Sequence, residues 1–395
     1  MASDGDEEER IDAAPAGPSP MLVPPPALDE LVERSGIRRL HIIAWRDLAD
    51  VEAGGSEVYV ARLAERYASG GLEVFMRTSY AQGHRPRGER DGYTMLRRAG
   101  RNMVFPMTIV EELARRNGPI DALIEVWNGV PYFSPVWFRG PNAVILHHLH
   151  RDMWNLVLES PALARLGQQL EARVAPLFYR GTELVTDSSS SRAEILEVLR
   201  LRPERVSIAP PGIDERYVPG GVRSPDPLVA AVGRPMPSKR FDELIRVMAE
   251  VREVHPAARL VIAGDGYERE ALEEAVAREG AGDWVRLAGY VTDAELVELY
   301  QQAWVVASAS IAEGWGMTLT EAAACGTPAV ATRIAGHLDA VADGRSGLLA
   351  SDRSEMVAHL VAVLGDEGLR EKLGTGAIEH AAGFTWDATA ARIFE

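Results

Sequence analysis

The 395-residue chain has one cysteine, Cys325, which rules out an internal disulfide framework. Cys325 lies in an Ala-rich stretch and reads as a small buried filler. No run approaches the ~20 apolar residues that a membrane span needs. The start of the chain lacks the basic residues and apolar core of a secretion signal, so the cytoplasm is the default location. Lys and Arg (42) are outnumbered by Asp and Glu (58), a net charge of −16, which argues against nonspecific nucleic-acid binding. There is no Gly-x-x-x-x-Gly-Lys-Ser/Thr loop, which excludes a P-loop ATPase. No Gly-x-Gly-x-x-Gly follows a strand, which weakens a dinucleotide reading. A Cys cluster and a His-Glu-x-x-His are also missing.

What is present divides into a tail and two similar halves. Residues 1–36 carry the acidic cluster Asp4 to Glu9 and an Ala/Pro-rich run, and read as a disordered solvated tail. Strands and helices then alternate. Strands are expected at 40–44, 72–77, 122–126, 143–146, 184–186 and 206–209, with helices after 56 and over 109–116, 163–175 and 192–199. Pro176 is expected to stop the helix over 163–175. A break at 217–227, rich in Pro and Gly, reads as an interdomain linker. The pattern restarts with strands at 228–232, 259–263, 285–288, 303–310 and 329–332. Helices are expected over 241–254, 268–278, 293–302, 317–325 and 354–364. Such alternation implies two α/β halves, each a parallel, doubly wound sheet. In such sheets ligands bind at the carboxyl ends of the strands, here in a cleft between the halves.

The strongest chemical signal is the pair Glu313 and Glu321, with Gly314 to Thr320 between them. A strand, a Gly-rich turn and a helix start point bare backbone N–H groups at a ligand, an arrangement suited to phosphate. Glu321 can accept two sugar hydroxyls, and Glu313 can do so for a second sugar. Arg234 and Lys239, on the loop after Gly233, can aim two cations and a helix N-terminus at one diphosphate. Gly54-Gly55 opens a helix in the first half, either to let backbone approach a ligand or as a tight turn. His147, His148 and His150 follow a strand, but an extended chain points the first two to opposite sides, which disfavours a metal. One of them is expected to face the cleft and bond a sugar. Tyr290 and Val291 follow a strand end, where backbone can read a base. The basic stretch from His84 to Arg101 reads as a solvated loop. Its other reading is an acceptor or lipid-phosphate surface, with peripheral membrane contact.

Taken together, these residues resemble glycosyltransferase family 4, the retaining nucleotide-sugar transferases of the GT-B fold. Glu313 to Glu321 fits that family's Glu-x7-Glu motif, and Gly233-Arg234 with Lys239 fits its diphosphate pair. Pro211-Gly212-Ile213-Asp214 is similar to its segment before the linker, with Pro211 in place of the usual Asn. The resemblance implies two Rossmann-like domains, 37–217 on the acceptor side and 218–378 on the donor side, with a helix over 379–395 crossing back to the first. It implies that Glu321 binds the donor ribose and Glu313 the transferred sugar. Arg234 and Lys239 would hold the diphosphate, helped by Gly316, Met317 and Thr318, with Gly55 approaching from the other domain. The cleft histidine best matches His147, with His148 a close competitor. His147, Glu313, Arg234 and Lys239 are the expected catalytic set. No metal or cofactor is implied, since the Arg/Lys pair and a helix dipole replace it. The donor would be a nucleoside-diphosphate sugar. The acceptor, whether small molecule, lipid or polysaccharide, stays open. Two rivals share the build: a nucleotide-sugar epimerase and a non-catalytic sugar-nucleotide binder.

Overall fold

Short apolar runs bounded by turn residues build two sheets in the computed structural model, which describes residues 24–151, 154 and 160–395. The first contains β1 (Arg39–Ile43), β2 (Glu73–Thr78), β3 (Arg87–Arg90), β4 (Tyr93–Arg97), β5 (Ala122–Val126), β6 (Asn142–Ile145), β7 (Glu183–Thr186) and β8 (Val206–Ile208). Their spatial order is β3-β4-β2-β1-β5-β6-β7-β8, and only β3 runs antiparallel to its neighbour. All five residues of β5 are buried, as expected where helices cover both faces of a parallel sheet. The second sheet contains β9 (Leu228–Val232), β10 (Arg259–Ala263), β11 (Val285–Gly289), β12 (Val305–Ser308), β13 (Ala329–Thr332) and β14 (Gly347–Ala350). It is wholly parallel, in the order β11-β10-β9-β12-β13-β14. Each half is a doubly wound α/β unit, and together they form a GT-B fold. Strand order reverses between β1 and β5 in one sheet and between β9 and β12 in the other. Those two switch points, at the strands' carboxyl ends, are where a ligand is expected.

The chain crosses between the halves twice, and the crossings touch. Ile213 N donates to Phe384 O at 3.1 Å. The last helix, Trp386–Phe394, belongs to the first half's core through Trp386, Ala390 and Ile393. Tyr67 hydroxyl donates to Ala390 O at 3.0 Å and fixes its seat.

Four expectations need correction. The tail expected over 1–36 ends earlier, because Leu28–Ser35 is a helix. Its Leu28 and Val32 pack on the first core, which supplies the apolar contact that composition alone concealed. Residues 1–23 lie outside the described residues. The basic stretch is a β-hairpin, β3 and β4, turned at Asp91-Gly92 with positive φ at both positions. That geometry is the primed turn that Asp-Gly favours. Pro176 does not end its helix. A π-turn over Leu170–Val174 precedes it, and Pro176 falls in the first turn of Ala175–Tyr179, so the helical path runs on through the proline. Finally, the helix Glu367–Ala381 stays with the second half, packing Leu373 in that core, so the crossing comes after Ala381 rather than at 379.

Candidate functional site

Lys239 ends a short 3-10 turn after β9, and Glu313 lies on the loop after β12. These strands flank the second sheet's switch point. The loops are tied by Ile311 N donating to Ser238 O at 2.9 Å. The tie brings Lys239 Nζ to 2.5 Å from Glu313 Oε1, and Ser310 Oγ donates to the same oxygen at 2.8 Å. Burial pushes the Glu313 carboxyl up, but Lys239, His337 and the two hydrogen bonds outweigh it and hold it below the ordinary value. His337 is buried beside this pair, with Nδ1 2.9 Å from Thr332 O. Burial and the Lys239 charge bring its pKa down. Lys239 and Glu313 therefore form a charged pair that a ligand's own charges can divide.

The helix Met317–Ala324 starts from Gly316, whose φ of +108° suits only glycine. Its first N–H groups have no partner within the helix. Glu321 sits a turn further on and accepts from Tyr300 hydroxyl at 2.9 Å. Burial raises its carboxyl to about 7, against the opposing hydrogen bond from Tyr300 and the charge of Arg216.

The first half closes on this assembly. The helix Gly55–Ser69 begins opposite Met317, and a Cβ built on Gly55 would lie 3.3 Å from Met317 Sδ. Arg234 reaches across and donates to Glu52 O at 2.5 Å and to Ala53 O. Asp339 receives Ser189 N (3.0 Å) and Ser190 N (3.2 Å) at the N-terminus of Ser189–Leu199. Gly336 N donates to Ser190 Oγ at 2.9 Å. Gly314 packs against His147, His148 and Asp187, all within 3.5 Å of where its Cβ would be.

The histidines separate clearly. His147 Nδ1 meets both oxygens of Asp187, at 2.8 and 3.0 Å, while the Tyr59 ring packs edge-on at 4.9 Å. Its Nε2 is buried and has no partner among the described residues. Burial works against the imidazolium, but Asp187, by charge and hydrogen bond, and Glu57 raise its pKa overall. His148 stacks on His150 at 5.1 Å. Burial and the neighbouring His150 and His147 lower it to about 3, a neutral ring.

The structure thus joins Lys239 to Glu313 and sets Gly55 against Met317, with Gly316 and Thr318 on either side of that methionine. It turns Arg234 toward the opposite loop rather than toward Lys239, and gives Glu321 its own partners. Gly233 follows β9 and lies against the Lys239 side chain. Tyr290 is 80% exposed and Val291 packs on the second core, so only their backbone stands at the strand end. The expected set missed Asp187, Tyr300, Ser310 and His337. Asp187 carried a signal: it is the charged residue immediately after the buried strand β7. Among the described residues no group of three or more His, Cys, Asp or Glu is placed to hold a metal ion, and no helix is long and apolar enough to cross a membrane.

Two family models match the chain. Residues 53–217 match the family described as Glycosyltransferase Family 4, and residues 215–380 match Glycosyl transferases group 1. The D-inositol 3-phosphate glycosyltransferase of Acidothermus cellulolyticus is 30% identical over 86% of this chain and 84% of its own. That of Kribbella flavida is 28% identical over 93% and 96%. Among solved structures, sucrose-phosphate synthase of Thermosynechococcus elongatus superposes with a TM-score of 0.77 at 20% identity, over 90% of this chain and 97% of that one. An Anabaena protein solved with UDP and glucose superposes with a TM-score of 0.69 at 18% identity, over 90% and 98%.

Proposed function

Since the chain belongs to glycosyltransferase family 4 and is a glycosyltransferase of GT-B fold, we propose that its donor is a nucleoside-diphosphate sugar and that transfer to an acceptor hydroxyl retains configuration without a metal ion. The observation that carries this reading is the Lys239–Glu313 pair at the second switch point, with Glu313 on the loop that leads into the helix N-terminus at Met317 and Thr318. As the sugar leaves, roughly two units of charge build on the diphosphate. Lys239 and the N–H groups of that helix N-terminus stabilise that charge more in the transition state than before it. Arg234 exchanges the Glu52 and Ala53 carbonyls for phosphate oxygens. Glu313, released from Lys239, accepts hydroxyls of the sugar, and Glu321 accepts those of the ribose. His147 presents Nε2 to the sugar from the opposite wall. The leaving phosphate oxygen takes the acceptor proton on the face it departs from, which preserves the anomeric configuration.

An inositol phosphate is the first acceptor to screen, on the names of the relatives. In the first half, Arg46 and Arg101 are held by Glu52 and Glu57 and by Asp50 and Glu52 respectively. An acceptor phosphate would have to compete with those carboxylates. The test is incubation with UDP-, GDP- and ADP-sugars in chelator, followed by NMR of the product's anomeric proton. An α-linked donor giving a β-linked product, or turnover that requires added metal, overturns the reading.

A further inference from the structure

One surface of the first half carries chemistry that the cleft does not use. Pro161–Gln169, Leu170–Val174 and Ala175–Tyr179 run on as a single helical rod. Its inner face is satisfied: Ala164, Ala175 and Tyr179 are fully buried. Glu171 is the rod's sole acidic residue, and it too turns inward, accepting from His150 N at 3.0 Å and from Trp154 Nε1 at 3.2 Å. The outer face is different. Leu163, Leu166, Val174, Leu177 and Phe178 are exposed, Leu166 at 65% and Leu177 at 58%. Spacings of three, eight and three residues place the first four on one stripe. Val136, on the adjoining short helix Ser134–Trp137, is half exposed and continues the apolar strip. Arg165, Arg173 and Arg180 run alongside, exposed and with no carboxylate partner among the described residues.

Large apolar side chains exposed together are uncommon on a protein that meets only water. The charge is equally out of place: the chain carries −16 overall, yet the exposed side of this rod carries three cations and no anion. Alternating arginine and aliphatic residues on one helical face fit the boundary of an anionic bilayer, where guanidinium groups meet lipid phosphates and the leucines enter the acyl region. A polyanion would need the arginines alone and a purely apolar partner the stripe alone, whereas the boundary of an anionic bilayer takes both. We infer that the outer face of residues 161–180 docks the protein on an anionic phospholipid surface. Glu171 joins that face to the cleft wall by holding the backbone of His150, so docking would set the first half's cleft edge near the lipid headgroups.

The test needs no sugar transfer and stands apart from the donor reading. The full chain is floated with vesicles of phosphatidylcholine alone, or with about a third of phosphatidylglycerol, which puts the surface potential in the range where each basic residue contributes about fivefold to binding. Binding to the anionic vesicles, and not to the neutral ones, is expected. Arg165→Ser with Arg173→Ser should weaken it roughly 25-fold, two such factors. Leu166→Ser with Leu177→Ser should weaken it by about tenfold or more, from the loss of two inserted side chains. Circular dichroism and thermal melts confirm that each variant folds. No flotation with either vesicle overturns the inference. So does flotation that ignores the leucine substitutions, which would assign the face to polyanions, or that ignores the arginine ones.

Discussion

Asp187 grips His147 Nδ1 with both carboxylate oxygens, at 2.8 and 3.0 Å, and leaves Nε2 buried and, among the described residues, unpartnered, while Asp187 itself lies against Gly314 of the other half. The carboxylate fixes which way the ring faces and which nitrogen remains for a ligand. Asp187→Asn keeps the shape and removes the charge. It should lower kcat about five- to tenfold, the scale of one hydrogen bond, with little change in donor affinity. The pH dependence has a definite sign. His147 titrates above its ordinary 6.5, so the pair's stability is full below that value and is lost as pH rises through the folded pKa. Asp187→Asn should therefore lose most stability, relative to the parent, below pH 6.5. NMR of the imidazole and a pH-rate profile read both effects, and an unmoved His147 titration would sink the assignment.

Lys239→Ala should cut turnover by roughly 10²–10³. It also leaves Glu313 buried beside no cation, which costs on the order of 1–3 kcal/mol, less than a fully dry pair because both side chains keep some solvent contact. The double variant with Glu313→Gln should recover most of the lost Tm and none of the activity. Thermal melts alongside turnover separate the two roles. Recovery of activity in the double variant would show that Lys239 serves only to neutralise Glu313.

Glu321 makes donor affinity depend on pH. Its folded pKa, about 7, exceeds the 4.5 of a free glutamate, so the ionised form destabilises the fold as pH rises from about 4.5 to 7. A shift of that size corresponds to at most about 3 kcal/mol. Glu321→Gln should raise Tm at pH 8 and leave it nearly unchanged at pH 4.5. Ribose hydroxyls favour the carboxylate, so nucleotide binding near pH 6.5 should release a fraction of a proton. Calorimetry in buffers of different ionisation enthalpy measures that release, and uncorrected heats that are equal in all buffers would count against the role.

Gly55→Ala tests the close approach between the halves. Alanine is the better helix former by about 1 kcal/mol, so the helix itself gains. The added methyl meets Met317 Sδ at 3.3 Å and fills the space between two helix starts. The expected result is an unchanged or higher Tm with a nucleotide-sugar KM raised about five- to tenfold, the loss of one backbone contact. Adding Met317→Ala relieves the crowding. If KM then returns to normal, the methyl acted through the methionine and not on the ligand.

The two-halved α/β plan was legible because its signals are local. Strands such as Leu228–Val232 and Arg259–Ala263 are continuous apolar runs, and the helix Phe241–Val254 carries a clear amphipathic period. Glu313, Lys239 and Gly316 were readable because strand-end loops of a doubly wound sheet point into the crevice. What escaped depends on contacts distant in sequence. The helix Leu28–Ser35 looks like a polar tail until its partner helix is in place. Asp187 gains meaning only when β6 and β7 lie side by side, and Arg234 only when the opposite loop arrives. The hairpin β3–β4 is a different case: Asp91-Gly92 announced it, and the surrounding arginines drew the reading away.

The contact between Ile213 and Phe384 reaches beyond local packing. Two bridges that lie side by side define a pivot line, where one bridge would have left a loose tether. Any gaping of the enzyme must then be a rotation, small beside Gly212 and Trp386 and growing with distance from them. Groups far from the pivot would part first as product leaves and rejoin last when fresh donor enters.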